Sequence, residues 1–259
     1  MADVTYPPLD VLKPVADDLW IIDSGPMKAM GLIPIPVRTT AIRLPGGEML
    51  IHSPSRFTAG LRRQIEEIGP IRHLVAPNIA HWTFLKDWQQ QLPEAVTWAA
   101  PGLRKRAQVR KAGLRLDHDL GDDAAPGWPP ELEQIAVHGA AGFCEVALHH
   151  RPSRTLILVD LVLNLERHKL PIPVRPFAAA AGILAPDGRA PAYLRAIVKL
   201  AGQQAREEGR RLIATRPARP RTAGPSSWPR PRPRTCGSSV STAEARRAVV
   251  VRDGGVMAR

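Results

Sequence analysis

Residues 68–95 read IGPIRHLVAPNIAHWTFLKDWQQQLPEA. Within this stretch Gly69-Pro70 is a stop signal, and Ile71 to Ala76 (IRHLVA) is a short apolar run rich in β-branched residues. Pro77-Asn78 ends that run, and apolar residues then recur at helical spacing over 80–91. A strand bounded by turn residues and followed at once by a helix is the repeating unit of an α/β sheet covered on both faces.

The same alternation continues outward on both sides. Upstream, Asp18 to Ile22 reads as a short strand followed by a Pro- and Gly-rich connector from Gly25 to Pro36. Val37 to Leu44 (VRTTAIRL), the turn Pro45-Gly46-Gly47 and Glu48 to His52 (EMLIH) then predict a hairpin. A helix follows over Ala59 to Ile68, with Leu61, Ile65 and Ile68 on one face. Downstream, Val96 to Ala100 is another strand and Pro101 to Val109 opens a helix with a basic face. Strands return at Leu132 to Val137, Cys144 to His149 and Thr155 to Leu161. Residues 165–188 read as loop, and Ala190 to Ile213 as the longest helix.

The 259 residues are 44% apolar, too apolar for a wholly disordered chain and long enough for a substantial core. No apolar run reaches the length of a membrane span. The N-terminus carries Asp and Pro where a signal peptide needs a basic end and an apolar stretch, so the expectation is a cytoplasmic protein. Two cysteines exclude a disulfide framework and a Cys-built zinc module. The net charge of +12 invites a nucleic-acid reading, but residues 217–259, with nine Arg and two acids, carry +7 of it. The rest is only mildly basic, and nucleic acid is not the expected partner.

Residues 217–239 (PARPRTAGPSSWPRPRPRTCGSS) hold no Val, Ile, Leu, Phe or Met and cannot offset their ordering entropy by burial. The expected organisation is therefore a domain over 1–216 and a disordered, basic Arg/Pro-rich tail over 217–259. Such a composition also arises when a GC-rich gene is read out of frame, and loss of frame near residues 217–222 is the reading preferred over a native basic arm.

Chemistry is offered at strand ends. His52 closes the second hairpin strand, His81 follows strand 71–76 by a short loop, His138 leaves strand 132–137, and Asp160 lies near the end of strand 155–161. Neutral imidazoles with a carboxylate suit Zn or Fe. A histidine taken singly is more often a hydrogen-bonded or surface side chain, and that alternative stays open. Asp117-His118-Asp119 reads as a solvated loop, Cys144 as a small core residue, and Trp82, Phe84, Trp88 and Trp98 as core packing. There is no GxGxxG, no phosphate-binding loop with Lys and no GxSxG.

The segments EMLIHSPSRFTAGL (48–61), 68–95, APGL (100–103) and EVALHHRPSRTLILVDLVLNL (145–165) resemble a bacterial and plant family, a domain of unknown function beside the metallo-β-lactamase superfamily. The resemblance implies an αββα sandwich of four layers, with any metal at one edge. Relatives end in a further strand closed by His-Gly, so this chain is expected to lack its last strand and to leave a sheet edge open. In metal-binding relatives the loop after strand 71–76 carries H-x-H-x-D-H; here it is Ala76-Pro77-Asn78-Ile79-Ala80-His81. The metal set implied is His81, His138 and Asp160, with Asn78, His149 and His52 as weak additions, His52 standing near where active relatives often place an acidic residue. A degenerate site of this kind implies at most weak metal-dependent hydrolysis of an ester-like bond on a small molecule of unknown identity. The alternative is a metal-free, non-catalytic sandwich that binds a ligand or partner.

Overall fold

The computed structural model describes residues 4–29, 33–121, 123, 125–186, 189–215 and 249–250. The first sheet runs in chain order through β1 (Lys13–Ala16), β2 (Leu19–Ala29), β3 (Ile33–Arg43), β4 (Met49–His52), β5 (Ile71–Ala76), β6 (Val96–Ala99) and β7 (His118–Asp119). It is antiparallel from β1 to β4 and parallel from β4 to β7. The parallel half exists because α1 (Ala59–Glu66), α2 (Leu85–Gln91) and α3 (Ala107–Ala112) carry the chain back between strands. The second sheet has the order β11 (Val249–Val250), β10 (Thr155–Leu158), β9 (Cys144–His150) and β8 (Leu132–His138).

Three apolar clusters fix the layers. Between the sheets lie Leu19, Ile21, Ile42, Leu50, Val75 and Trp98 from one side, with Ala136, Val146, Leu148 and Ile157 from the other. The outer face of the first sheet packs Met49, Ile51 and Leu74 on Leu61, Ile65, Leu85, Trp88 and Val109 of its helices. Beyond α4 (Arg175–Ala180), a short helix within the stretch read as loop, the outer face of the second packs Ile135, Val137, Leu156 and Leu158 on Leu194 of α5 (Ala192–Leu200), with Leu212 of α6 (Gln203–Ala214) alongside. Helices, sheet, sheet and helices are the four layers that the sequence implies.

Several boundaries differ from the sequence reading, each for a local reason. The Gly25–Pro36 connector is the far end of the β2–β3 hairpin, where Met27 pairs with Ile35 beyond a bulge between Ser24 and Met27. Proline is tolerated beside such a bulge. The helix read over 80–91 starts only at Leu85, because the Asn78 carboxamide oxygen accepts the N–H groups of Ala80 and His81 and holds the chain in a turn. The stretch 190–213 is two helices, broken at Gly202, whose φ of +82° a glycine adopts without strain. The 118–119 pair is an exposed edge strand rather than a loop. Trp88 and Trp98 are core, as expected. The β10 edge expected to be open carries the two residues of β11, running parallel. The remainder of 217–259, on which the tail and frame readings fall, lies outside the described residues. Among the described residues no helix is long and apolar enough to cross a membrane.

One buried ion cluster pins the start of the first sheet. Asp23 on β2 accepts from Lys13 Nζ at 2.7 Å and from Arg38 Nε at 2.6 Å, and all three side chains are buried. Removing the carboxylate would leave two buried cations facing each other, so Asp23→Ala is expected to cost about 3–5 kcal/mol in urea unfolding. Asp119→Ala, which breaks an exposed 2.8 Å pair with Arg104, is expected to cost less than about 1 kcal/mol. Equal losses would contradict this assignment.

Candidate functional site

The two sheets are joined at one edge by polar side chains. After β5 the chain crosses toward β9: the Pro77 carbonyl accepts the Val146 N–H at 2.8 Å, and Asn78 bridges antiparallel to Glu145. Glu145 is fully buried, and its two carboxyl oxygens accept the backbone N–H groups of Val159 (2.8 Å) and Asp160 (2.7 Å), just past β10. Those bonds set Asp160 at the edge. Asn78 Nδ2 then donates to Asp160 Oδ2 at 2.8 Å, with Glu145 Oε2 at 3.5 Å.

His81 completes the group. Its Nε2 faces Asp160 Oδ2 at 3.4 Å, and its Nδ1 lies 2.7 Å from Ser53 Oγ. The tautomer with hydrogen on Nε2 suits both neighbours, accepting from the serine hydroxyl and donating toward the carboxylate. Ser53 directly follows β4. Its N–H donates to Val75 O at 2.9 Å, its carbonyl accepts from Thr39 Oγ1 at 2.9 Å, and its φ is +55°.

Electrostatics follow from burial. Burial pushes the Glu145 carboxyl up to about 7, helped by the charge of Asp160, while the Val159 and Asp160 N–H groups pull it back. Burial pushes His52 down to about 3, with His81 adding to the effect, so His52 is a neutral imidazole at pH 7. Neither of its ring nitrogens has a hydrogen-bond partner among the described residues.

Of the residues predicted from sequence, His81, Asp160 and Asn78 come together, with His52 close enough to feel the charge of His81. His138 is held elsewhere: its backbone N–H and Nδ1 each lie 2.7 Å from the Glu208 carboxylate of α6. His149 faces Glu133 across the β8–β9 ladder, with Nδ1 3.6 Å from Oε2, and burial lowers its pKa. Among the described residues no group of three or more His, Cys, Asp or Glu could hold a metal ion. The donor chemistry gives the reason. Asp160 Oδ2 accepts the Asn78 amide, the Glu145 oxygens accept backbone N–H groups, and His138 is tied to α6 away from His81 and Asp160. The residues present do not fit a resident metal.

Sequence reasoning missed Ser53 and Glu145. The signal for Glu145 was there: an acid inside the apolar strand CEVALH needs a buried partner. Ser53 gave none beyond its place at a strand end.

A family model described as Domain of unknown function (DUF4336) matches residues 16–179, more than half of the chain. The chain belongs to this family. Among solved structures it is similar to DIM-1 metallo-β-lactamase exposed to ceftazidime, at 11% identity and a TM-score of 0.54, over 96% of this chain and 90% of that one. It is also similar to TMB-1, at 12% identity and a TM-score of 0.52, over 95% and 90%. FIM-1 from Pseudomonas aeruginosa, in its mono-zinc form, matches at 13% identity and a TM-score of 0.44, over 78% and 96%. No curated protein matches. The DUF4336 domain thus has the metallo-β-lactamase fold, as the resemblance in the sequence implied.

The neutral His52 gives a pH signature. The unfolded chain protonates this imidazole near 6.5 and the folded chain only near 3. Between those values the unfolded state holds the extra proton, so this group's share of stability is lost as pH falls. Glu145 acts oppositely between 4.5 and about 7, where rising pH costs stability, and it does so with or without His52. Denaturation of His52→Leu from pH 7 to about 4.5 is expected to show a slope of stability on pH that is less positive than wild type by up to about 1.4 kcal/mol per unit, the opposing Glu145 contribution being left. An unchanged slope would place the titrating histidine elsewhere.

Proposed function

We propose that this domain hydrolyses a small ester-like bond at the sheet-edge cluster, with His81 taking the proton, Asp160 orienting the ring, and no resident metal. The observation that carries the reading is the placement of the imidazole between a hydroxyl at 2.7 Å and a carboxylate at 3.4 Å. A ring held this way has one tautomer favoured and a carboxylate to orient it, as a positioned general base requires. Burial of His81 and Asn78 keeps the cluster poor in water, which strengthens each of these interactions.

The reading with Zn or Fe on His81, His138 and Asp160 has the fold in its favour. It requires Asp160 to give up the buried hydrogen bond from the Asn78 amide and His138, whose Nδ1 is held by Glu208, to offer Nε2 beside His81 and Asp160. The reading as a ligand-binding sandwich without catalysis also has an observation behind it. A hollow of about 800 Å³ lies on the outer face of the second sheet, lined by Val137, Leu156, Leu158, Leu194, Val198 and Leu212, within the size range of small-molecule pockets.

The test is turnover of p-nitrophenyl acetate by the full chain with and without EDTA. The expected result is hydrolysis that EDTA leaves unchanged and that His81→Asn lowers by about 10²–10⁴-fold. Activity that EDTA abolishes and Zn restores would establish the metal reading instead. Absence of turnover would leave the binding reading.

A further inference from the structure

We infer that Ser53 is a nucleophile, and that the hydrolysis proceeds through an acyl-Ser53 ester limited to acetyl-sized acyl groups. The inference rests on the proposed hydrolytic reading and adds to it the attacking atom and the substrate class.

Three observations carry it. Ser53 Oγ is hydrogen-bonded to His81 Nδ1 at 2.7 Å, while the opposite ring nitrogen faces Asp160, so nucleophile, base and orienting carboxylate stand in sequence. The Ser53 backbone is held at φ +55° between its N–H bond to Val75 and its carbonyl bond from Thr39, at the point where β4 turns toward α1. Left-handed backbone at a residue with a side chain is uncommon and gathers where the surrounding structure enforces it at functional positions. The third observation is a hollow of about 20 Å³ onto which both Ser53 and His81 open, walled by Met27, Val37, Pro54 and Phe84. A single water needs about 10–15 Å³ by the same measure. The space therefore admits a water or the methyl of an acetyl group, and not a longer chain.

The chemistry balances without any co-reactant but water. Ser53 Oγ bonds to the acyl carbon and its proton moves to His81 Nδ1. The imidazolium then presents Nε2–H to Asp160. Collapse of the tetrahedral adduct breaks the bond to the leaving oxygen, which takes the proton from His81. Water next attacks the acyl-Ser53 ester by the same route, releasing the carboxylic acid and restoring the hydroxyl.

The experiment is rapid-quench intact-mass analysis of the full chain with p-nitrophenyl acetate, followed by peptide mapping, beside pre-steady-state release of nitrophenol. The expected result is a burst and one acetyl group on Ser53, turnover about 10-fold or more slower with p-nitrophenyl butyrate, and loss of burst and adduct in Ser53→Ala. Ser53→Cys, which retains a nucleophile, is expected to be acetylated at the same position. Turnover without an adduct at residue 53, with Ser53→Ala within about twofold of wild type, would overturn the inference and leave His81-assisted attack by water standing. No turnover by the folded wild-type protein would overturn both.

Discussion

The Glu145 carboxyl is the clasp on which the edge of this sandwich depends. A fully buried carboxyl is costly unless its oxygens are satisfied, and here they are satisfied by the backbone N–H groups of Val159 and Asp160. Because those groups belong to the chain leaving β10, the bonds fix where Asp160 emerges. Because Glu145 also pairs through its backbone with Asn78, the exit of β5 in the opposite sheet is set by the same residue. The positions of Asn78, His81 and Asp160 all follow from one residue of β9, Asp160 through its carboxyl and Asn78 through its backbone.

That clasp decides what the edge can do. Asp160 emerges accepting the Asn78 amide and facing the His81 ring at 3.4 Å, so protein groups lie against its carboxylate. Asn78 is itself fixed, since its oxygen is occupied by the Ala80 and His81 N–H groups, which leaves its nitrogen aimed at Asp160. On the far side Glu208 holds His138 by both ring and backbone. The side chains at this edge thus hold one another, Ser53 to His81 and Asn78 to Asp160 by hydrogen bonds, with the His81 ring 3.4 Å from Asp160.

The layers were legible in the sequence because they are set by local patterns. IRHLVA between Gly69-Pro70 at one end and Pro77-Asn78 at the other leaves little choice but a short buried strand, and β5 spans those six residues. The β3–β4 hairpin follows from its turn and alternation in the same way. What failed to read correctly depended on partners far along the chain. The Pro-rich ends of β2 and β3 are strands only because each supplies the other with a ladder beyond a bulge. His81 and Asp160 were readable as strand-end ligands, yet the role of each is set by residues that local spacing does not reveal. Ser53 lies 28 positions before His81, and Glu208 lies 70 positions after His138. A polar residue shows its type in the sequence, but its hydrogen-bond partner is a property of the packed sheets.

Titration of zinc into dialysed full-length protein, followed by calorimetry and by metal analysis after gel filtration, tests most directly whether the edge stands without a metal. The account predicts no stoichiometric uptake and no change in unfolding temperature between zinc and EDTA, since ligands that bind the folded state raise its stability by mass action. One zinc ion retained per chain, lost in His81→Ala and accompanied by a rise in unfolding temperature, would contradict it.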